Sequence, residues 1–131
     1  MISVSIDKLR GDLLGKGGKR SVYIYLPNPN YVLKMVAAID LRTNNSEYEN
    51  YLKLREKYLH WIAPCIFFDD NIIIQARTYD IPNDNYMPNY VPDCFRDTKK
   101  SNWGLYHGRP VINDYEFIEE ITDNFRILKE W

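Results

Sequence analysis

Apolar and β-branched residues cluster in short runs separated by turn-forming residues. Val22-Tyr23-Ile24-Tyr25-Leu26 and Tyr31-Val32-Leu33-Lys34-Met35-Val36 predict two strands, and Pro27-Asn28-Pro29-Asn30 between them predicts a hairpin turn. Upstream, residues 1–14 alternate too briefly to separate a strand from a turn of helix. From 45 to 60 the period changes: Tyr48, Tyr51, Leu52, Arg55, Tyr58 and Leu59 recur at three- and four-residue steps, which predicts a helix. Asn45 or Ser46 would cap it, with Glu47 and Glu49 in the first turn. Pro64 closes that region. Cys65-Ile66-Phe67-Phe68 and Ile72-Ile73-Ile74-Gln75-Ala76-Arg77 predict a second hairpin around Asp69-Asp70-Asn71.

Residues 81–93, with three prolines and three asparagines, predict a loop. Gly108-Arg109-Pro110 marks a turn, with His107 in it and an apolar run after it. In the tail, Phe117, Ile121, Phe125 and Leu128 form a stripe that predicts one or two helical pieces over 115–131, with Asp123 as a cap. Glu116, Glu119, Glu120 and Asp123 make its outer face acidic, which is ordinarily a solvated face and alternatively a mimic of a phosphate backbone. The expected fold class is α+β.

Composition narrows the function classes. A 131-residue chain with 45% hydrophobic and 27% charged residues suits a single globular domain with a real core. A net charge of −1 provides no field for nucleic acid or an anionic membrane, so neither is an expected partner. There is no long apolar span and no signal-peptide pattern at Met1-Ile2-Ser3-Val4, so a soluble, cytoplasmic protein is expected. Cys65 and Cys94, with only His60 and His107 beside them, do not make a zinc site; reduced thiols are expected, with a disulfide between them the alternative. The two histidines are expected at a turn and a helix end, not as catalysts.

The chemistry concentrates in Phe95-Arg96-Asp97-Thr98-Lys99-Lys100-Ser101-Asn102 and Val111-Ile112-Asn113-Asp114-Tyr115-Glu116. An aspartate, an asparagine five residues on, and a second aspartate closing an apolar run are the groups phosphoryl transfer uses. One carboxylate meets the attacking hydroxyl, while an amide oxygen and another carboxylate hold magnesium against the phosphates. Leu14-Gly15-Lys16-Gly17-Gly18-Lys19-Arg20-Ser21-Val22, ahead of the first predicted strand, can bring backbone N–H groups close to phosphate oxygens.

These parts, in this order, resemble the protein-kinase-like phosphotransferases: G-x-G-x-x-G-x-V, a strand lysine, a helix, a second hairpin, H-R-D-x-x-x-x-N and D-F-G. The resemblance runs from about Leu14 to Glu116. It implies a kinase amino-terminal-lobe-like antiparallel sheet with one helix over residues 1–80. Residues 81–131 would be a truncated carboxy-terminal lobe of catalytic loop, metal-binding hairpin and terminal helix. It implies ATP and Mg2+ as cofactors. Asp97 would orient the hydroxyl and Lys99 contact the transferred phosphate; Asn102 and Asp114 would bind the metal. Gly15, Gly17 and Gly18 would cover the phosphates, and Lys34 would reach the α- and β-phosphates. Arg77-Thr78-Tyr79-Asp80 would be the hinge, with Arg77 and Tyr79 against adenine. Either Glu47 or Glu49 would hold Lys34. Glu49 is preferred because it shares a face with Leu52, which is expected to turn toward the sheet.

The chain departs from the pattern at Arg20, in place of the third glycine, at Phe95, in place of histidine, and at Glu116, in place of the glycine of D-F-G. It also has no activation segment after Asp114. It is similar to stripped-down kinase-like proteins of bacteria and their viruses, which would place it in a host cytoplasm. A protein is the expected substrate or partner, and a homodimer is one way to complete the site. The alternatives are an inactive kinase-like module that binds and inhibits a partner, and an unrelated α+β interaction domain.

Overall fold

The computed structural model describes residues 6–17, 19–36, 41–69 and 71–128. The fold is α+β. One turn of helix, α1 (Ile6–Leu9), leads directly into β1 (Arg10–Lys16), so both readings of the amino-terminal stretch apply to parts of it. β2 (Arg20–Tyr25) and β3 (Tyr31–Val36) form the expected hairpin, with Val22 opposite Lys34. β4 (Cys65–Asp69) and β5 (Ile72–Ala76) form the second. The five strands make one antiparallel sheet in the order β1-β2-β3-β5-β4. β5 is buried along its whole length, as its apolar run suits, and the one polar residue in it, Gln75, is buried too.

The helix α2 covers Leu41–Leu54, starting four residues before the expected position and ending six before. Asn45 and Ser46 therefore lie inside it and are not caps. Its inward face is Thr43, Asn44, Glu47, Tyr51 and Leu54, a helical spacing on which three of the five positions are polar. An argument from apolar periodicity cannot phase such a helix. Leu52 and Glu49 both point outward. Residues 59–61 form a separate 3-10 turn.

Below the sheet, β7 (Trp103–Tyr106) and β8 (Arg109–Ile112) form a hairpin. Its two-residue turn is His107 and Gly108, at φ 51° and 78°, the positive values that suit the twist of the flanking strands. Much of residues 81–93 is loop as expected, but β6 (Tyr90–Pro92) pairs with β9 (Phe125–Ile127). That pairing overturns the expected terminal helix as far as residue 128. Backbone groups of the tail bond across to residues 89–95 instead: Glu119 N–H donates to Cys94 C=O, Leu128 N–H to Asn89 C=O, and Asp93 N–H to Asn124 C=O. Phe117, the first residue of the supposed apolar stripe, is 67% exposed.

One core joins the parts. Tyr51 and Leu54 of α2, Ile73 of β5, Ile112 of β8, Val91 of β6 and Tyr115 belong to a single buried cluster. Cys65 and Cys94 are both free and buried, and burial pushes the Cys94 thiol up to about 11. No helix among the described residues is long and apolar enough to cross a membrane.

Candidate functional site

A cleft of about 680 Å³ lies between the glycine hairpin, the sheet, the segment after β5 and the end of β8. Its size falls in the roughly 300–1,000 Å³ range of small-molecule sites. Gly15, Gly17, Arg20, Lys34, Thr78, Tyr79 and Asp114 are among the residues lining it. Gly18 lies outside the described residues.

At the back of the cleft, two cations share one buried carboxylate. Lys34 Nζ lies 2.6 Å from Glu47 Oε1, and Arg20 Nη2 lies 2.9 Å from Glu47 Oε2. Glu47, not Glu49, is therefore the partner of Lys34; α2 turns Glu49 to solvent along with Leu52. Burial alone would raise the Glu47 pKa. The charges and hydrogen bonds of Lys34 and Arg20 outweigh it and hold the carboxyl at about 2. Gln75 adds a third donor, 3.3 Å from Glu47 Oε1. Asn44 accepts from Arg20 at 3.1 Å and donates to the backbone carbonyls of Lys34 and Asn71, tying the start of α2 to both hairpins.

The segment Asn113-Asp114-Tyr115 is fixed from several sides. Lys34 Nζ donates to the Asn113 carbonyl at 2.5 Å, Asn113 N–H donates to the Asn102 carbonyl, and Asn113 Nδ2 donates to Thr78 Oγ1. Asn50 of α2 donates to the carbonyls of Tyr115 and Glu116. Asp114 keeps a half-exposed carboxylate, 3.4 Å from Arg20 Nη2. Burial and the nearby Glu47 charge push its pKa up, against the pull of Lys34 and Arg20.

Tyr115, where the resemblance expects phenylalanine, is buried with its hydroxyl donating to Ala63 C=O at 2.7 Å and accepting from Gln75 at 3.1 Å. Burial raises this phenol well above its usual range, so it remains a donor. Tyr115→Phe leaves the Ala63 carbonyl and the Gln75 amide without that partner. It is expected to cost about 1–3 kcal/mol in urea unfolding; an unchanged midpoint would show that the hydroxyl contributes nothing.

The loop carrying Asp97 borders the cleft through Lys100 and Ser101, which line it, while Asp97, Lys99 and Asn102 do not. Asp97 and Lys99 are exposed and 3.6 Å apart. Asn102 is buried, and its Nδ2 donates to the Asp97 carbonyl at 2.8 Å, so its amide oxygen is the group left to accept or to bind a cation. Trp103 packs beneath the loop as expected, its Nε1 donating to the Thr98 carbonyl. From β9, Arg126 donates to the Phe95 carbonyl and to Thr98 Oγ1. Phe95, in the histidine position, is a core residue.

Of the two named hinge residues, Tyr79 lines the cleft and Arg77 does not. Arg77 N–H donates to the Asn30 carbonyl, and Tyr79 exchanges both of its backbone hydrogen bonds with Leu105. The N–H groups of both residues are therefore engaged within the protein. Thr78 and Asp80, on either side of Tyr79, line the cleft as well. The Arg77 guanidinium lies over the Tyr79 ring at 5.0 Å, and Arg77 lines a neighbouring hollow of about 360 Å³ instead.

Among the described residues, no group of three or more His, Cys, Asp or Glu side chains is placed to hold a metal ion. Of the two expected magnesium ligands, Asp114 lines the cleft and Asn102 does not; a magnesium ion there would take these one or two protein oxygens and complete its shell with phosphates and water. Asp114 and the Asn102 amide oxygen are the residues that would hold it.

Sequence reasoning underrated Arg20, read as a departure from the glycine pattern, and passed over Gln75, Asn50 and Arg126. A single amide inside Ile-Ile-Ile-Gln-Ala was the visible signal for Gln75. No protein-family model matches the chain, and no curated protein matches it.

Proposed function

We propose that the protein is a kinase-like phosphotransferase that binds ATP with Mg2+ and acts on a protein target. The observation that carries this reading is the buried Lys34–Glu47 pair beneath a glycine hairpin, in the same cleft as Asp114. The order of elements supports it: a glycine-bearing hairpin, a helix supplying the carboxylate, a second hairpin, an extended segment, the 97–102 loop and a hairpin ending at Asp114.

Each residue then has a role. An ammonium has three donors; Glu47 and Asn113 take two from Lys34, leaving one for a phosphate oxygen. The glycine hairpin lets backbone approach the phosphates. Magnesium held by Asp114 and Asn102 would neutralise phosphate charge. Asp97, exposed on a loop at the rim of the cleft, is open to a hydroxyl group arriving on a protein surface.

Asp114→Asn is expected to abolish the part of ATP binding that depends on Mg2+ while leaving the fold intact. Because the folded protein disfavours the charge of Asp114, stability without ligand should not fall. Equal Mg-ATP affinity in the variant, measured by calorimetry, would remove the metal assignment. Asp97→Asn should retain Mg-ATP binding and lower phosphate transfer from labelled ATP by about 10²-fold or more.

The second reading is an inactive kinase-like module that inhibits a partner. Asp97 pairing with Lys99 away from the cleft lining favours it. Wild-type protein that binds Mg-ATP but never transfers phosphate would select it.

A further inference from the structure

Arg20 stands where the glycine pattern has its third glycine, and its side chain is only 10% exposed. The guanidinium joins three parts of the site: Asn44 Oδ1 at 3.1 Å, Glu47 Oε2 at 2.9 Å and Asp114 Oδ1 at 3.4 Å. Glu47 is already bonded to Lys34. Two cations thus face one fully buried carboxylate, and the half-exposed Asp114 and the nearby Glu116 add negative charge on the cleft side of Arg20.

A divalent cation on Asp114 would sit beside a guanidinium already ion-paired with the same carboxylate. That repulsion acts in a partly buried place where screening is weak. A phosphate removes the conflict, because it offers Arg20 a new anionic partner and offers the cation bridging oxygens. The planar fork of arginine suits phosphate oxygens well, and Arg20 lines the cleft with Lys34.

We propose that Arg20 is a phosphate-binding residue that exchanges Asp114 for a phosphate of the bound nucleotide, so that nucleotide binds without metal and bare metal binds poorly. This rests on the ATP-binding reading above and adds an order to it: phosphate enters, Arg20 releases Asp114, and the released carboxylate becomes available to a cation. Metal and phosphate then strengthen each other's binding reciprocally.

The test uses calorimetry with ATP in EDTA and, separately, with Mn2+ alone, on wild-type protein, Arg20→Gln and Asp114→Asn, each checked for folding by circular dichroism. Wild type is expected to bind ATP in EDTA and to bind Mn2+ weakly. Arg20→Gln should weaken metal-free ATP at least tenfold and tighten Mn2+ at least threefold. Arg20→Gln matching wild type in both titrations overturns the proposal while leaving the ATP-binding reading in place. If Arg20→Gln fails to fold, Asp114→Asn decides: freed from its carboxylate, Arg20 should tighten metal-free ATP at least threefold, and unchanged or weaker binding overturns the exchange. Wild-type protein that binds ATP neither with nor without Mg2+ overturns the functional reading itself.

Discussion

Glu47→Gln lowers stability by about 3–5 kcal/mol, whereas Glu49→Gln changes it by less than about 0.5 kcal/mol. The two glutamates are half a helical turn apart, and sequence composition treats them alike. Their environments do not. Glu47 is fully buried between Lys34 and Arg20, whose side chains are 6% and 10% exposed. Glutamine keeps the shape but leaves both cations without their shared counter-charge. Glu49 faces solvent. Urea unfolding of the two variants measures the difference, and similar losses would contradict the assigned partner.

The pH dependence follows with a definite sign. Glu47 is held at about 2 in the folded protein, below the ordinary glutamate value. Its ionised form therefore stabilises the fold fully above pH ~4.5, and this contribution fades as pH falls toward 2. The amount at neutral pH is about 3 kcal/mol. Glu47→Gln should flatten this acid limb. A variant that keeps the wild-type acid slope would place the titrating group elsewhere.

Gly104→Ala costs about 3 kcal/mol and, on the proposed reading, weakens ATP binding. A Cβ at this position would lie 2.2 Å from Thr78 Oγ1 and 2.6 Å from Thr78 Cβ. Threonine is stiff at χ1, and this one is also held by Asn113 Nδ2. Relief must come from backbone movement where the segment after β5 meets β7 through the Tyr79–Leu105 pair. The same movement disturbs Asn113 and hence Asp114. Thr78→Gly in the same chain should recover part of the lost stability. A Gly104→Ala protein with wild-type melting would mean that the two segments are not packed this closely.

The strands were legible because their signals are local. β2, β3, β4 and β5 are short β-branched or aromatic runs bounded by Pro-Asn-Pro-Asn or Asp-Asp-Asn, and their turns need no distant partner. The β7–β8 turn was legible for the same reason. The phase of α2 was not, because Asn44 and Glu47 on its inward face answer to Arg20, Lys34 and Asn71, which lie far away in the chain. The tail misled for a related reason. Phe117, Ile121, Phe125 and Leu128 have helical spacing, but pairing of β9 with β6 takes the backbone hydrogen bonds a helix would use.

The site divides along the same line. Lys34, Gly15, Gly17 and Asp114 could be nominated from order and residue type, and the cleft brings them together. Arg20 could not, because its importance lies in three contacts to residues 24 to 94 positions away.

The proposed nucleotide cleft is built on Lys34, Glu47 and Asp114, with metal adding to the affinity for ATP. Thermal unfolding with ATP plus Mg2+, with ATP plus EDTA and without ligand tests it most directly. A ligand bound only by the folded state must raise the melting temperature, by roughly 10 °C at a hundredfold excess over Kd. The account predicts a rise with ATP in EDTA, a larger one with Mg2+ present, and loss of that Mg2+ increment in Asp114→Asn. No rise under either condition at millimolar ATP would contradict it.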